Sequence, residues 1–205
     1  GTKDKVPYIT SKGGKMSSRC GISKERYEQI KEIVADMYED LGYTEIPVNV
    51  FELCHKLNIK LVKYSSLTKE QKECAMQLSP DGFSLRNNRT KQYEIYYNSE
   101  MPAKRITFTI MHEIAHIMLE HIYHSYENEQ EANFFTKAAL VPLGLIYRLQ
   151  LKNSMEVAQT FGISMEFAQN VVDHYNRSMK HPAILIKEAN SRLVRLFYER
   201  IQEVV

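Results

Sequence analysis

The chain has 205 residues, 43% of them hydrophobic, and 27 basic side chains nearly balance 25 acidic ones for a formal charge of +2. That length supports one sizeable core, alone or with a small appended subdomain, and the charge is too small for a surface that holds nucleic acid by electrostatics. The longest mostly apolar run, Ala138 to Tyr147, is interrupted by Pro142 and Gly144 and is far short of the ~20 residues a membrane span needs.

Residues 1–20 are rich in Lys, Ser and Gly and are expected to form a disordered tail, with Met16 as a candidate natural start. No segment has a signal-peptide layout. Cys20, Cys54 and Cys74 are an odd number at wide spacing, with neither a CxxC pair nor a disulfide framework, which fits a reducing cytoplasm. From Ser23 onward Tyr27, Ile30, Val34, Met37 and Leu41 recur at helical spacing until Gly42, predicting a first amphipathic helix. Val50, Leu53, Cys54 and Leu57 predict a short second one. Residues 59–64 read as a strand. Cys74, Met76 and Leu78 alternate, Pro80-Asp-Gly82 turns the chain, and Phe83 and Leu85 resume the alternation, which predicts a hairpin. A further strand is expected at Tyr93 to Asn98, after a turn at Asn87-Asn88. These strands predict a small antiparallel sheet, whose edge could pair with an extended substrate segment.

Residues 112–116 read His-Glu-Ile-Ala-His, an HExxH run inside an apolar stretch that Pro102 opens as a helix. Four residues apart on a helix are about 40° apart around the axis and ~6 Å along it, so His112 and His116 can aim nitrogens at one ion. Zinc held by neutral imidazoles lowers the pKa of a bound water to about 7, and Glu113 stands where a carboxylate can take the proton. Chance alone would place such a pentapeptide in roughly two chains per hundred of this composition, so context decides. Ile106, Phe108, Ile110, Met111, Ile114, Ala115, Ile117, Met118, Leu119 and Ile122 point in nearly every direction of the wheel, describing a helix buried on most sides. Three ionisable residues on such a helix need a partner or a metal.

A third protein ligand is expected downstream. The metzincin extension is absent, because Leu119 and Ile122 occupy the positions of its Gly and third His. Glu127, Glu129 and Glu131 enter a second apolar helix running to about Leu140. Glu129 is the best placed, about 20° from Leu140 and about 60° from Ala132 on the wheel, whereas Glu127 and Glu131 fall toward the opposite side. Ala132 would let the two helices approach closely. His121 and His124 are expected to face solvent in the connecting turn.

The run Arg105-Ile-Thr-Phe-Thr-Ile-Met-His-Glu-Ile-Ala-His116, then Glu129-Gln-Glu-Ala-Asn133 and Leu140-Val-Pro142, resembles the ImmA/IrrE family of zinc metallopeptidases. Looser likeness extends upstream to Ile46-Pro-Val48, Asp81-Gly82-Phe83 and Tyr96-Tyr-Asn98. Position by position, the resemblance implies His112, His116 and Glu129 as zinc ligands and Glu113 as catalytic base. It also implies a bacterial or mobile-element protein that cleaves a helix-turn-helix transcriptional repressor. Ala115 departs from the family's frequent Gly before the second His, a small and helix-favouring change. The donor to the developing oxyanion is unassigned among 13 tyrosines.

Beyond Pro142 the chain is predicted helical, and Ala158, Gly162, Ile163 and Ser164 have helix-turn-helix spacing. The second helix of that unit would expose Glu166, Gln169, Asn170 and Asp173, which bring no positive charge to phosphates, so direct DNA binding is disfavoured. A last amphipathic helix is expected from Ala183 to Val205, with Lys187, Glu188, Arg192, Arg195, Glu199 and Arg200 on a solvated face. The expected organisation is α+β: a tail over 1–20, a zincin-like metallopeptidase domain over 21–150 with its small sheet beside a mainly helical core, and a helical subdomain over 151–205. The expected function is a cytoplasmic zinc endopeptidase acting on a protein substrate, with no membrane contact. The rival reading is a regulatory binding module whose metal site is structural or vestigial.

Overall fold

A computed structural model describes residues 21–123 and 125–204. The tail over 1–20 and His124 lie outside the described residues. Helix α1 (Lys24–Asp40) starts at Ser23, whose hydroxyl accepts from the Arg26 amide, and buries Ile30, Val34, Met37 and Tyr38 on one stripe, as their spacing predicts. Asn49 caps α2 (Val50–Lys56) in the same way, and β1 (Lys60–Lys63) follows.

After a single 3-10 turn at Tyr64–Ser66 the chain departs from expectation: residues 69–78 form α3 (Lys69–Leu78) instead of a strand. Thr68 and Gln71 make a reciprocal capping box, and Lys, Glu, Gln and Met are good helix formers that lose little rotamer freedom. The alternation of Cys74, Met76 and Leu78 does not describe a buried face: all three are exposed, while Ala75 is buried. Pro80-Asp-Gly82 therefore joins a helix to β2 (Gly82–Arg86), and the hairpin is β2 with β3 (Tyr93–Tyr97). Asn87 closes its loop, as expected from Asn87-Asn88, by accepting from the amides of Arg89 and Thr90.

The sheet has the order β1-β3-β2. It is mixed, where a wholly antiparallel sheet was expected: β3 pairs antiparallel with β2 (Gly82 opposite Tyr97) and parallel with β1 (Lys60 opposite Glu94). The helical α3 supplies the crossover that a parallel pair requires. Glu94, buried on central β3, accepts from Tyr96, Asn87 and Lys60, and the Tyr96 hydroxyl holds its carboxyl below the ordinary value. The α+β class stands.

Two long helices carry the site: α4 (Ala103–Met118), which lies against β2 and β3, and α5 (Tyr126–Leu140), which packs on α4. They are the most extensively packed pair of helices, and buried Ala115, Ala132 and Ala139 permit close approach. Gly82 at the start of β2 lets the strand lie against α4, since a Cβ there would fall 2.7 Å from Thr109 Cγ2 and 2.9 Å from the Tyr96 carbonyl oxygen. On its other side α5 meets α1, where Tyr38 donates to the Ala139 carbonyl at 3.0 Å and Tyr27 packs edge-on against Phe134.

Past Pro142 come α6 (Leu143–Arg148), α7 (Ser154–Phe161) and α8 (Met165–Ser178). Helices α7 and α8 meet through Gly162, which adopts the left-handed φ of 65° and caps α7, and through Ser164, whose hydroxyl caps α8. Val157, Phe161, Ala168 and Val171 belong to the same continuous core as Ile30, Ile95 and Ile114. The single last helix that was expected is two, α9 (Pro182–Ala189) and α10 (Arg192–Val204). Asn190 and Ser191 break it, because the Ser191 hydroxyl accepts from the Val194 amide while Arg148 donates to the Ala189 carbonyl. Their charged side chains are not simply solvated either: Lys187 pairs with Glu28, Glu188 with Lys31, and Arg192 with Asp36, all on α1.

Candidate metal centre

Helix α4 turns His112 and His116 to one side, and the first turn of α5 brings Glu129 to them. The two imidazole nitrogens and the two oxygens of the Glu129 carboxylate converge. His112 Nε2 is 3.1 Å from His116 Nε2 and 3.3 Å from Glu129 Oε2, and His116 Nε2 is 3.4 Å from Glu129 Oε1. Ligands ~2.0 to 2.1 Å from a tetrahedral zinc lie roughly 3.3 Å from one another, so this donor set fits that ion in both chemistry and spacing. Among the described residues, these are the three that group as possible metal ligands. Ser125 makes the approach possible by capping α5 at the Asn128 amide, and the positive end of that helix favours a carboxylate in its first turn.

Glu113 lies beside these residues on the side of α4 that meets the sheet. It is buried, and Ser84 on β2 donates to its Oε2 at 2.8 Å. The periodicities of strand and helix match here: Gly82 and Ser84 share one face of β2, while Thr109 and Glu113 are one turn apart on α4. His112 is backed by Phe108, whose ring lies 6.2 Å away at 18°, and Phe108 in turn packs edge-on against Phe167 of α8. Its Nδ1 is buried without a hydrogen-bond partner.

The three residues expected to converge do so, and Glu127 is exposed, as expected. One expectation fails. His121 is not a solvent-facing turn residue: its side chain is 6% exposed and its Nδ1 lies 2.9 Å from His116 Nδ1. Glu131, set apart from Glu129 on the wheel, stands outside the ligand group and is also enclosed. It accepts from Arg26 of α1 through Nε at 2.9 Å and Nη2 at 2.6 Å, and these bonds hold its carboxyl below the ordinary value. Sequence reasoning missed Ser84, whose contact with α4 has no local signature. It also passed over Phe167, which reaches the site from 59 positions beyond Phe108.

Of the tyrosines near the sheet, Tyr64 is pushed up to about 12 by burial, then by the charges of Glu113 and Asp81, and it gives its proton to the Ser79 carbonyl. Tyr96 gives its own to Glu94. Neither is positioned as an oxyanion donor.

A buried carboxylate next to a convergent His-His-Glu group is the constellation of a metal-dependent peptidase. Residues 54–173 match the Peptidase M78 family, described as the IrrE N-terminal-like domain. That match spans more than half of the sequence, and the chain belongs to this family: it is a peptidase of the metallopeptidase type, with protein as its general class of substrate. No match is found among curated proteins. No helix among the described residues is long and apolar enough to cross a membrane.

Proposed function

We propose that the protein is a zinc-dependent endopeptidase that cleaves a helix-turn-helix transcriptional repressor, with His112, His116 and Glu129 as ligands and Glu113 as general base. The observation that carries this reading is the donor group with spacings of 3.1, 3.3 and 3.4 Å beside a buried carboxylate on the same helix. Zinc held by these three residues would supply a Lewis acid and lower the pKa of a bound water toward neutrality. Glu113 would serve as the carboxylate that accepts a proton from the attacking water and returns it to the leaving amine. Ser84 holds the Glu113 carboxylate by donating to Oε2. The expected outcome involves no covalent intermediate.

The order of strands supports an extended substrate. β2 is a terminal strand of the sheet and carries Ser84, so a peptide pairing along its outer edge would run past Glu113. Against a closed, structural metal site stands the engagement of both His121 nitrogens away from the donor group. Cys54 and Cys74 are free thiols, in keeping with a reducing cytoplasm. The exposed Glu166, Gln169, Asn170 and Asp173 of α8 favour a packing or docking role for α7 and α8 over DNA contact.

The test is zinc content and fragment formation with a co-encoded repressor, both followed by mass spectrometry. Glu113→Gln keeps zinc and loses cleavage by about 10²-fold or more, and His116→Ala loses both. Normal cleavage by Glu113→Gln would overturn the mechanism.

A further inference from the structure

Behind His116 runs a chain of polar groups that ends on α1. His116 Nδ1 lies 2.9 Å from His121 Nδ1, His121 Nε2 lies 3.3 Å from Glu131 Oε2, and Arg26 grips both oxygens of Glu131. We infer that His121 is a positioning residue for the metal ligand His116, held in its working tautomer by Glu131 and Arg26. This rests on the metal-binding reading above.

The chemistry of the groups sets the direction of every bond. A guanidinium only donates, and an ionised carboxylate only accepts. Glu131 therefore takes a proton donor from His121, which puts the His121 proton on Nε2. A neutral His121 then presents a lone pair at Nδ1, and His116 must donate to it from its own Nδ1. What remains on His116 is a lone pair at Nε2, the atom that faces His112 and Glu129. The tautomer a metal requires is thus imposed from outside the metal site, by an arginine two residues removed from the ligand.

The backbone is built to deliver His121 to this place. Helix α4 closes at Leu119, Glu120 adopts a left-handed φ of 54°, and the His121 amide returns to the His116 carbonyl at 3.0 Å. That reversal folds the imidazole of residue 121 under that of residue 116, in a non-glycine conformation that L residues adopt at a cost. Side-chain exposures of 8% for His116, 6% for His121 and 16% for Glu131 keep water from competing for these hydrogen bonds. His112 is the internal contrast, because its Nδ1 is buried without a partner and nothing comparable selects its tautomer. The two histidines of the motif are therefore not equivalent: His116 is preset, while His112 is oriented by packing against Phe108.

The experiment measures zinc affinity of the full chain by competition with a chromogenic chelator, with thermal melting of the metal-free protein as the folding control. His121→Phe keeps a ring but has no acceptor for His116, and is expected to weaken zinc binding about 10- to 100-fold. In His121→Gln the amide oxygen can accept from His116 while its NH2 donates to Glu131, so most of that affinity returns. Wild-type affinity in a folded His121→Phe overturns the inference, as does equal weakening in Phe and Gln variants. If His121→Phe does not fold, Glu131→Gln decides, since an amide no longer enforces the direction of the chain: a severalfold loss supports the inference and unchanged affinity overturns it. A wild-type protein that takes up no zinc would instead overturn the metal reading itself.

Discussion

Ser84 is the smallest group in the site with a direct hold on the proposed base. Its hydroxyl is the donor to a buried Glu113 oxygen at 2.8 Å, and a hydrogen bond to a charged group contributes about 1.5 to 3 kcal/mol. Removing it leaves the carboxylate without that donor and less well oriented for proton transfer. Ser84→Ala is expected to lower kcat/KM about 10-fold while zinc content stays at the wild-type level, which steady-state cleavage and metal analysis would measure together. A variant with full activity would show that the strand does not orient Glu113. At this scale the candidate site was legible only where helical periodicity carries it. His112, Glu113 and His116 stand in one turn and Glu129 follows from the apolar edge of the next helix, whereas Ser84 and the Arg26 to Glu131 pair, 105 positions apart, come together only on folding.

Between elements, the closeness of β2 to α4 decides whether Ser84 can reach Glu113 at all. Gly82 sets that closeness. In Gly82→Ala the new Cβ would lie 2.7 Å from the Thr109 methyl and 2.9 Å from a backbone oxygen, and the second cannot rotate away. Overpacking of this kind costs about 1 to 3 kcal/mol, so the denaturation midpoint should fall, and activity should fall beyond what the loss of folded protein explains. A Gly82→Ala protein as stable and active as the wild type would mean the interface has slack. The elements themselves were readable to different degrees. Helix α1, the strand at Lys60–Lys63 and the paired helices α4 and α5 appear where their apolar spacing predicts. Segment 69–78 was misread because alternation over Cys74, Met76 and Leu78 outweighed a capping box at Thr68 and Gln71 that is written just as plainly. The break between α9 and α10 was missed because the apolar spacing runs on past Asn190 and Ser191, whose cap on the Val194 amide and the Arg148 bond to the Ala189 carbonyl mark it.

Across the whole molecule, the proposed zinc binding would be coupled to stability. The donor group draws ligands from α4 and α5, and those helices pack on α1, β2 and β3, so a metal that binds only the native arrangement stabilises the whole core. At 100 times the dissociation constant the gain is about 2.7 kcal/mol, which for a chain of this size raises Tm by about 5 to 10 °C. Scanning calorimetry with and without a zinc chelator would measure it, and a Tm indifferent to chelation would mean the ion does not bind the folded state selectively.

The amino-acid sequence by itself determined the α+β class, the family, the helix that carries HExxH and the carboxylate that joins it, because each depends on residue type at short spacing along one or two helices. Tertiary structure alone decided that β1 runs parallel to β3, that β2 is the strand beside Glu113, and that His121 turns inward to His116. Those outcomes depend on which distant surfaces meet. A strand does not encode its neighbour in its own alternation, and an imidazole in a turn has no preferred side until Glu131, held by Arg26, is there to receive its proton.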